Sequence, residues 1–451
     1  MACPAAAADA GQLGASTAFA SSVHPFVFFT RADYQSLLAR RDPASAAALR
    51  LLEQRVSGEL KTSDGYLEPY SGCDLNVYLQ RFSLENASAT RVASDLALYS
   101  YLSGLGAGYG SSSQAHEAAQ KAKAILLAWA RGGFRENGQV RADVGQFCEN
   151  GAQTTVSRLD VSLQIGRGVA AWVQAQDLLE GQGVLSQAEK QELDAFVSRL
   201  HALVLNAARY WAANAYSDCE RYSNHVSIQL LALLSSARLE GDRAGFMAAA
   251  VGTGGTVPTP FVKQIAENIY GTADAAKRCS PQSTADAFER QHPPAPGEIV
   301  DRYRSGEAQT LGYPIYSLTA LLLSADVLQE AGMKPMQFSG PRGQSLSLAL
   351  RYYGYIFDHY LELDETRVAP GDHEVADEAV YAGHPVSGPA GVTVEGRDDL
   401  LEPFVLGYCL DHDPSSAAVL RKAMSFSGRA TPLYGIYSRS LPCLAALPAP
   451  R

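Results

Sequence analysis

The sequence of 451 residues lacks three features that would point to other protein classes. It has no apolar run approaching the roughly 20 residues that a membrane-spanning helix requires. Only 19% of its residues are charged and 47% are hydrophobic, which argues against disorder and against a coiled coil. Alternating runs of β-branched residues, typical of strands, are almost absent. The composition therefore indicates a globular protein with a large core.

Basic residues are also scarce. Lys and Arg together number 37 against 47 Asp and Glu, which gives a formal net charge of −10. No basic stretch with interleaved aromatic residues stands out, so nucleic acid is not expected as a partner. The acidic balance also weighs against a polyanionic substrate, unless basic side chains gather in one cleft.

The N-terminus is rich in alanine and has neither the charged nor the apolar region of a complete export signal. It resembles what remains after most of a bacterial signal is removed. One interpretation is a signal-peptidase site before Asp9. Another is a lipoprotein box in which Cys3 carries a lipid anchor, and an ordinary tail is the third. We expect residues 1–22 to form such a tail and residues 23–451 a single domain.

Cysteine usage indicates an oxidising compartment. Apart from Cys3 the chain has an even number of cysteines and no C-x-x-C pair, a pattern that favours disulfides over a zinc site. Spacing does not select among the possible pairings, and free buried thiols in a cytosolic protein are the alternative. We expect a periplasmic or secreted protein. The cysteines concerned are Cys73, Cys148, Cys219, Cys279, Cys409 and Cys443.

From residue 31 onward the hydrophobic residues recur with the period of an α-helix. Gly and Pro clusters punctuate the helical segments, and the sequence Ser186-Gln-Ala-Glu189 is a capping box that opens one of them. Besides a short helix near Asp33, the predicted segments are 88–104, 114–131, 157–180, 186–213, 224–239, 243–250, 260–276, 315–331, 343–363, 398–410 and 415–425.

About a dozen sequential helices without a linker predict one all-α domain. Antiparallel helix pairs in this number close most readily into an (α/α) toroid or incomplete barrel, with inner helices around a cleft. The polar, Pro-rich stretches 61–84 and 279–302 do not have the helical pattern. Their length predicts lids or loops that line the cleft.

The first candidate motif is Tyr222-Ser223-Asn224-His225, which directly precedes an apolar helical run. Ser223 or Asn224 would cap that helix and place His225 at its positive end, where a carboxylate can bind. The dipeptide Asn-His is weak on its own, because a capping Asn beside a surface His also explains it.

The second candidate motif runs from Asp301 through Arg302 and Arg304 to Tyr313 and Tyr316. The tyrosines are three residues apart and so share a helix face. Arginine pairs with carboxylates in a bidentate manner, and a nearby cation favours ionisation of a phenol, which can then accept a proton. The alternative is that the tyrosines belong to the core and the arginines to a solvated loop.

Two further acidic segments carry weaker signals. Asp398 to Glu402 is an acidic helix start that the helix dipole favours, which is a structural explanation. Asp372, His373 and Glu374 with His384 could hold a metal, but their spacing matches no standard ligand pattern. We therefore assign no metal site and no cofactor.

The motifs and their order resemble the alginate lyase domain, the family of poly-mannuronate lyases and related uronan-cleaving enzymes. The similarity extends over about residues 24–410. The matching segments are His24-Pro25-Phe26-Val27-Phe28-Phe29-Thr30, Asn224-His225, Arg302 or Arg304, Tyr313-Pro314-Ile315-Tyr316-Ser317-Leu318, and Leu401-Glu402-Pro403-Phe404. The family has Gly directly after its arginine and His after its first tyrosine, whereas this chain has Ser305 and Pro314 at those positions.

The resemblance implies β-elimination on a 4-linked uronan, an anionic polysaccharide, by a monomeric enzyme. Asn224 and Arg304 would neutralise the substrate carboxylate, while Tyr313 and His225 would act as base and acid. Arg302, Tyr316 and Tyr222 would bind the substrate. The substrate is alginate on this basis, and glucuronan or another polyuronate is the alternative.

Two other kinds of function fit the same fold. An inverting glycoside hydrolase needs two carboxyl groups about 6.5 to 9.5 Å apart. Candidates for that pair are Glu298, Asp301, Glu307, Asp372 and Glu374. A non-catalytic uronan-binding lipoprotein would need no reacting groups at all.

Overall fold

The computed structural model describes residues 13–14, 19, 23–40, 43–62, 89–106, 108–132, 135–136, 139–140, 158–215, 217–272, 294–303, 312–360, 401–426 and 441–443. Helix dominates these ranges, which confirms the all-α class. A pair of two-residue antiparallel strands, β1 (Arg135–Glu136) and β2 (Gln139–Val140), was not predicted.

Each predicted helical segment overlaps a helix of the structure. In chain order these are α1 (Arg31–Ala39), α2 (Pro43–Lys61), α3 (Ala89–Gly104), α4 (Ser112–Gly132), α5 (Arg158–Gln182), α6 (Gln187–Asn214), α7 (Asp218–Arg221), α8 (Asn224–Glu240), α9 (Arg243–Val251), α10 (Phe261–Asn268), α11 (Gly312–Glu330), α12 (Leu346–Tyr360), α13 (Glu402–Asp411) and α14 (Pro414–Phe426). Helices α2 and α7 were not among the predicted segments. A 3-10 turn, Val300–Tyr303, precedes α11.

Local sequence explains several helix ends. The predicted capping box is present, because the Ser186 amide donates to the Glu189 carboxylate at 2.8 Å and the Glu189 amide donates to the Ser186 hydroxyl at 3.3 Å. Helix α8 ends at Gly241, whose φ of +70° is left-handed and favours glycine. Asp242 then caps α9 by accepting the amide of Gly245 at 3.0 Å.

Helix α10 ends earlier than the apolar periodicity predicts. The predicted segment ran to residue 276, whereas the helix stops at Asn268. The next residue, Ile269, forms a β-bridge with Ile299, and the amide of Tyr270 donates to the carbonyl of Glu298 at 2.8 Å. Pairing with a distant segment therefore replaces helix directly after Asn268, and residues 273–276 of the predicted helix lie outside the described residues.

Cross-helix hydrogen bonds give the directions of α3, α5 and α6. The Ser94 hydroxyl donates to Gln174 at 2.8 Å, and Ser100, farther along α3, donates to Gln182, farther along α5, at 2.7 Å. Helices α3 and α5 therefore run the same way. Glu180 at the end of α5 pairs with Lys190 at the start of α6 at 2.8 Å, so α6 runs back.

Helices α8 and α11 run in the same direction as α3 and α5. His201 of α6 contacts Ser236 near the end of α8 at 2.8 Å, so α8 opposes α6 and runs with α5. Tyr316 near the start of α11 packs beside Ile228 near the start of α8. At their far ends the Arg238 guanidinium donates to the Glu330 carbonyl at 3.5 Å. Helices α3, α5, α8 and α11 thus share one direction.

Helix α8 is the most enclosed of these helices. Every residue from Asn224 to Leu239 is buried, as expected for a helix that has neighbours on all sides. Trp129, Trp172 and Trp211 are also buried. Trp129 and Trp172 belong to one continuous apolar core that extends from Leu13 to Cys443 and includes α8 from Leu230 onward.

Disulfides are present, as the cysteine count predicts. Cys409 of α13 is bonded to Cys443, with a Cα–Cα distance of 5.1 Å, and Cys219 in α7 is disulfide-bonded as well. Cys3, Cys73, Cys148 and Cys279 lie outside the described residues, as do residues 63–84 of the predicted loop 61–84 and most of the predicted loop 279–302. Lys61 is the last residue of α2 and so is helical, unlike the prediction. Within the described part of the chain, no helix is both long and apolar enough to cross a membrane.

Candidate active site

The N-terminal end of α8 is stabilised by a residue far away in the sequence. Ser223 occupies the N-cap position, as predicted, but its side chain makes no cap hydrogen bond. Instead, the amide of Asn224 donates to the carboxylate of Asp301 at 2.7 Å. Asp301 is fully buried, so an anionic side chain meets the positive end of α8 without competition from water.

His225 stacks on the indole ring of Trp211. Their ring centroids are 4.5 Å apart and the ring planes are inclined by 29°. The Trp211 indole N–H donates to the carbonyl of Glu220 in α7 at 2.8 Å, which fixes the indole. His225 is 7% exposed and Tyr222, just before the helix, is 8% exposed. The predicted motif is thus a largely buried, well-packed segment and not a surface loop.

Tyr313 and Tyr316 lie in the first turn and a half of α11. The helix begins at Gly312, earlier than predicted, so Tyr313 is inside it. Pro314 fits here because the first turn of a helix needs no partner for its amide groups. Both tyrosines are partly exposed.

The carboxylate of Asp301 also contacts α11. The Ser317 hydroxyl lies 3.5 Å from the same Asp301 oxygen that caps α8. Asp301 therefore joins the N-terminal ends of α8 and α11.

Arg167 of α5 is a third component, and no motif pointed to it. Its guanidinium carbon lies 4.7 Å from the centroid of the Tyr316 ring, and the residue is only 8% exposed. A Cβ on the preceding Gly166 would lie 3.0 Å from the Ile228 side chain, so α5 approaches α8 closely at this level. An arginine flanked by two glycines in a helix interior is the signal that could have drawn attention to it.

The structure does not describe the side chain of either predicted arginine. Arg304 lies outside the described residues, and Arg302 is described through its backbone only, in the turn Val300–Tyr303. The structure therefore brings together Asn224, His225 and the two tyrosines at the N-terminal ends of parallel helices. Arg167 contributes a cation there. The Asp301 carboxylate already accepts the Asn224 amide at the start of α8, so the cation of Arg167 is the feature that suits this end of the fold to a further anion.

Two of the carboxyl groups considered for a hydrolase are described, and both are fully buried. Glu298 accepts hydrogen bonds from the Ala295 amide at 3.0 Å and from the Tyr352 hydroxyl at 3.1 Å. Together with Asp301 it serves the packing of the chain and does not face solvent. The other candidate acids, Glu307, Asp372 and Glu374, lie outside the described residues.

The candidate metal ligands His373 and His384 also lie outside the described residues. In the ranges that the structure covers, no group of three or more His, Cys, Asp or Glu is arranged to hold a metal ion.

The opening motif lies at the opposite ends of these helices. His24 Nδ1 is 2.6 Å from Asp177, and its Nε2 is 3.0 Å from Glu180, both near the end of α5. The second Asp177 oxygen accepts the amides of Phe26 and Val27 at 2.9 Å. Burial lowers the pKa of His24, but the hydrogen bonds to the two carboxylates outweigh it and raise the pKa from 6.5 to about 9. This motif anchors the N-terminal segment.

The Leu-Glu-Pro-Phe motif is buried at the start of α13. Glu402 is 2% exposed, and the Phe404 ring lies 5.1 Å from that of Phe357 in α12. Its position indicates a packing role for the aromatic residue.

No protein-family model matches this chain, and no curated protein sequence is significantly similar to it. The resemblance to alginate lyases therefore depends on the short motifs and on their order.

Proposed function

We propose that this protein is a polysaccharide lyase that cleaves a 4-linked polyuronate by β-elimination, with poly-mannuronate as the first substrate to test. One observation carries the proposal. Asn224 with His225 and Tyr313 with Tyr316 belong to different helices, and the buried carboxylate of Asp301 holds the two helix starts together.

The chemistry requires neutralisation of the substrate carboxylate. The proton on C5 is only weakly acidic while the adjacent C6 carboxylate keeps its full charge. Hydrogen-bond donors and cations at that carboxylate stabilise the enolate that forms when the proton leaves, and such electrostatic stabilisation is usually the largest single contribution to catalysis. Asn224 supplies a side-chain amide donor, and Arg167 adds a cation at the same end of the fold.

Tyr313 is the proposed base and acid. Its phenolate oxygen removes the C5 proton, the electron pair forms the C4=C5 double bond, and the C4–O4 bond breaks. The leaving O4 then takes a proton, from Tyr313 itself if both events occur on one face of the sugar. His225 is the alternative base when the C5 proton lies on the opposite face.

We further propose that the helices form an (α/α) toroid. Helices α3, α5, α8 and α11 share a direction and α6 opposes them, which supports an inner row with outer helices between its members. The cleft would then lie at the N-terminal ends of the inner row. The disulfides support an exported protein.

A panel of poly-mannuronate, poly-guluronate, glucuronan and hyaluronan tests the proposal. Elimination leaves an unsaturated end that absorbs ultraviolet light, whereas hydrolysis leaves a new reducing end without that absorbance. We expect ultraviolet-absorbing products from at least one polymer. Reducing ends without absorbance would indicate a hydrolase, and binding without any product would indicate a carbohydrate-binding protein. Either result would overturn the proposal.

A further inference from the structure

The pair Arg167 and Tyr316 joins α5 to α11 beside the candidate site. The guanidinium carbon lies 4.7 Å from the centroid of the Tyr316 ring, a distance typical of cation–π contacts. Tyr316 also packs against the small apolar cluster of Leu163 in α5, Ile228 in α8 and Ala320 in its own helix. These contacts restrict the position of the ring that the guanidinium of Arg167 meets.

This arrangement suits recognition of a carboxylate. A guanidinium carries its N–H donors in one plane, in a fixed fork. A carboxylate accepts two of these donors in parallel, which lysine cannot reproduce because its ammonium group is a point charge. Arg167 is 8% exposed, so an ion pair there would be weakly screened by solvent.

We infer that Arg167, supported by Tyr316, binds a uronate carboxylate and makes the site selective for charged over neutral sugars. The inference rests on the proposed function and adds a cation from α5 that the motifs did not assign. It accounts for how a chain with a net charge of −10 could bind a polyanion, since the attraction is local.

The test compares binding of a mannuronate tetrasaccharide with that of its carboxyl-reduced, neutral counterpart. The variants are Arg167→Met, which keeps the length but removes the charge, and Arg167→Lys, which keeps the charge but loses the planar fork. Arg351→Met on the exposed side of α12 is the matched control. Thermal unfolding of each variant verifies that it is folded, and KM and kcat are measured on the polymer.

We expect Arg167→Met to reduce the preference for the acidic tetrasaccharide about tenfold or more, as for loss of a charge-assisted hydrogen bond. Arg167→Lys should restore part of the preference, and Arg351→Met should change nothing. If folded Arg167→Met keeps the wild-type preference while the wild type still cleaves polyuronate, the inference alone is wrong. If the wild type neither cleaves nor binds any polyuronate, the proposed function fails and the inference with it.

Discussion

The amide of Asn224 donates a 2.7 Å hydrogen bond to the carboxylate of Asp301, which lies in a separate segment far along the chain. The same carboxylate oxygen is 3.5 Å from the Ser317 hydroxyl in α11. One buried acid thus sets the spacing between two helices that carry the proposed reacting groups.

Replacing Asp301 should impair both stability and turnover. Asp301→Asn keeps the size of the side chain but removes the charge that caps α8, which should cost about 1–3 kcal/mol in the free energy of unfolding. Because small displacements of reacting groups are costly, turnover should fall at least about tenfold. Chemical denaturation and initial rates measure the two effects.

Asp242 offers a control for that experiment. It caps α9 through the Gly245 amide at 3.0 Å and is exposed. Asp242→Ala should therefore reduce stability by about 1 kcal/mol and leave turnover unchanged. Equal losses of turnover in the Asp242 and Asp301 variants would mean that Asp301 acts through stability alone.

His225→Ala should strongly reduce turnover, and it should also lower the free energy of unfolding by about 1–3 kcal/mol because it removes a buried ring that stacks on Trp211. The imidazole is the alternative base, and its ring is oriented by the Trp211 indole at 4.5 Å. His116→Ala, at an exposed position of α4, is the control and should behave as wild type. Initial rates on the best polymer of the panel give the comparison. A wild-type rate in His225→Ala would remove His225 from the mechanism.

The His24 cluster should make stability depend on pH. The folded state binds the His24 proton more tightly than the unfolded state, since the pKa is about 9 against 6.5. The contribution of His24 to stability is complete below about pH 6.5 and is lost as pH rises through 9.

Glu180 in the same cluster acts at acid pH. Burial raises the pKa of Glu180, but hydrogen bonds from His24, Lys190 and Gln176 lower it to about 2. The Glu180 contribution is complete above about pH 4.5 and is lost as pH falls towards 2.

Unfolding measured at pH 5.5 and pH 9.5 tests this cluster. The difference between the two values should be smaller in His24→Asn than in the wild type, because the variant has no proton to lose there. His116→Ala should keep the wild-type difference. An unchanged difference in His24→Asn would show that other groups produce the alkaline loss of stability.

The Cys409–Cys443 disulfide closes a loop with a sequence separation of 34. Removing it through the double change Cys409→Ser and Cys443→Ser should cost roughly 2–4 kcal/mol in the free energy of unfolding, mainly because the unfolded chain gains freedom. Denaturation of the purified variant without reductant measures this loss. Stability equal to that of the wild type would mean that packing alone secures the C-terminal segment.

The local pattern predicted most of the helices, although not α2 and α7, and it failed where distant segments meet. The capping box at Ser186 depends on neighbouring residues alone, so it could be predicted. The early end of α10 could not, because Ile269 pairs with Ile299. The cap supplied by Asp301 and the cation–π contact of Arg167 with Tyr316 also bring together residues far apart in sequence, which no local periodicity encodes.

The most direct test of the central claim is the rate of ultraviolet-absorbing product from Tyr313→Phe, measured beside Tyr355→Phe. Tyr355 is 73% exposed on α12 and so controls for loss of a hydroxyl away from the site. We expect Tyr313→Phe to lose at least about 1,000-fold in kcat while remaining folded, since acid and base roles each contribute about 10²–10⁴-fold. Tyr355→Phe should match the wild type. A folded Tyr313→Phe that forms the unsaturated product at the wild-type rate would contradict the account.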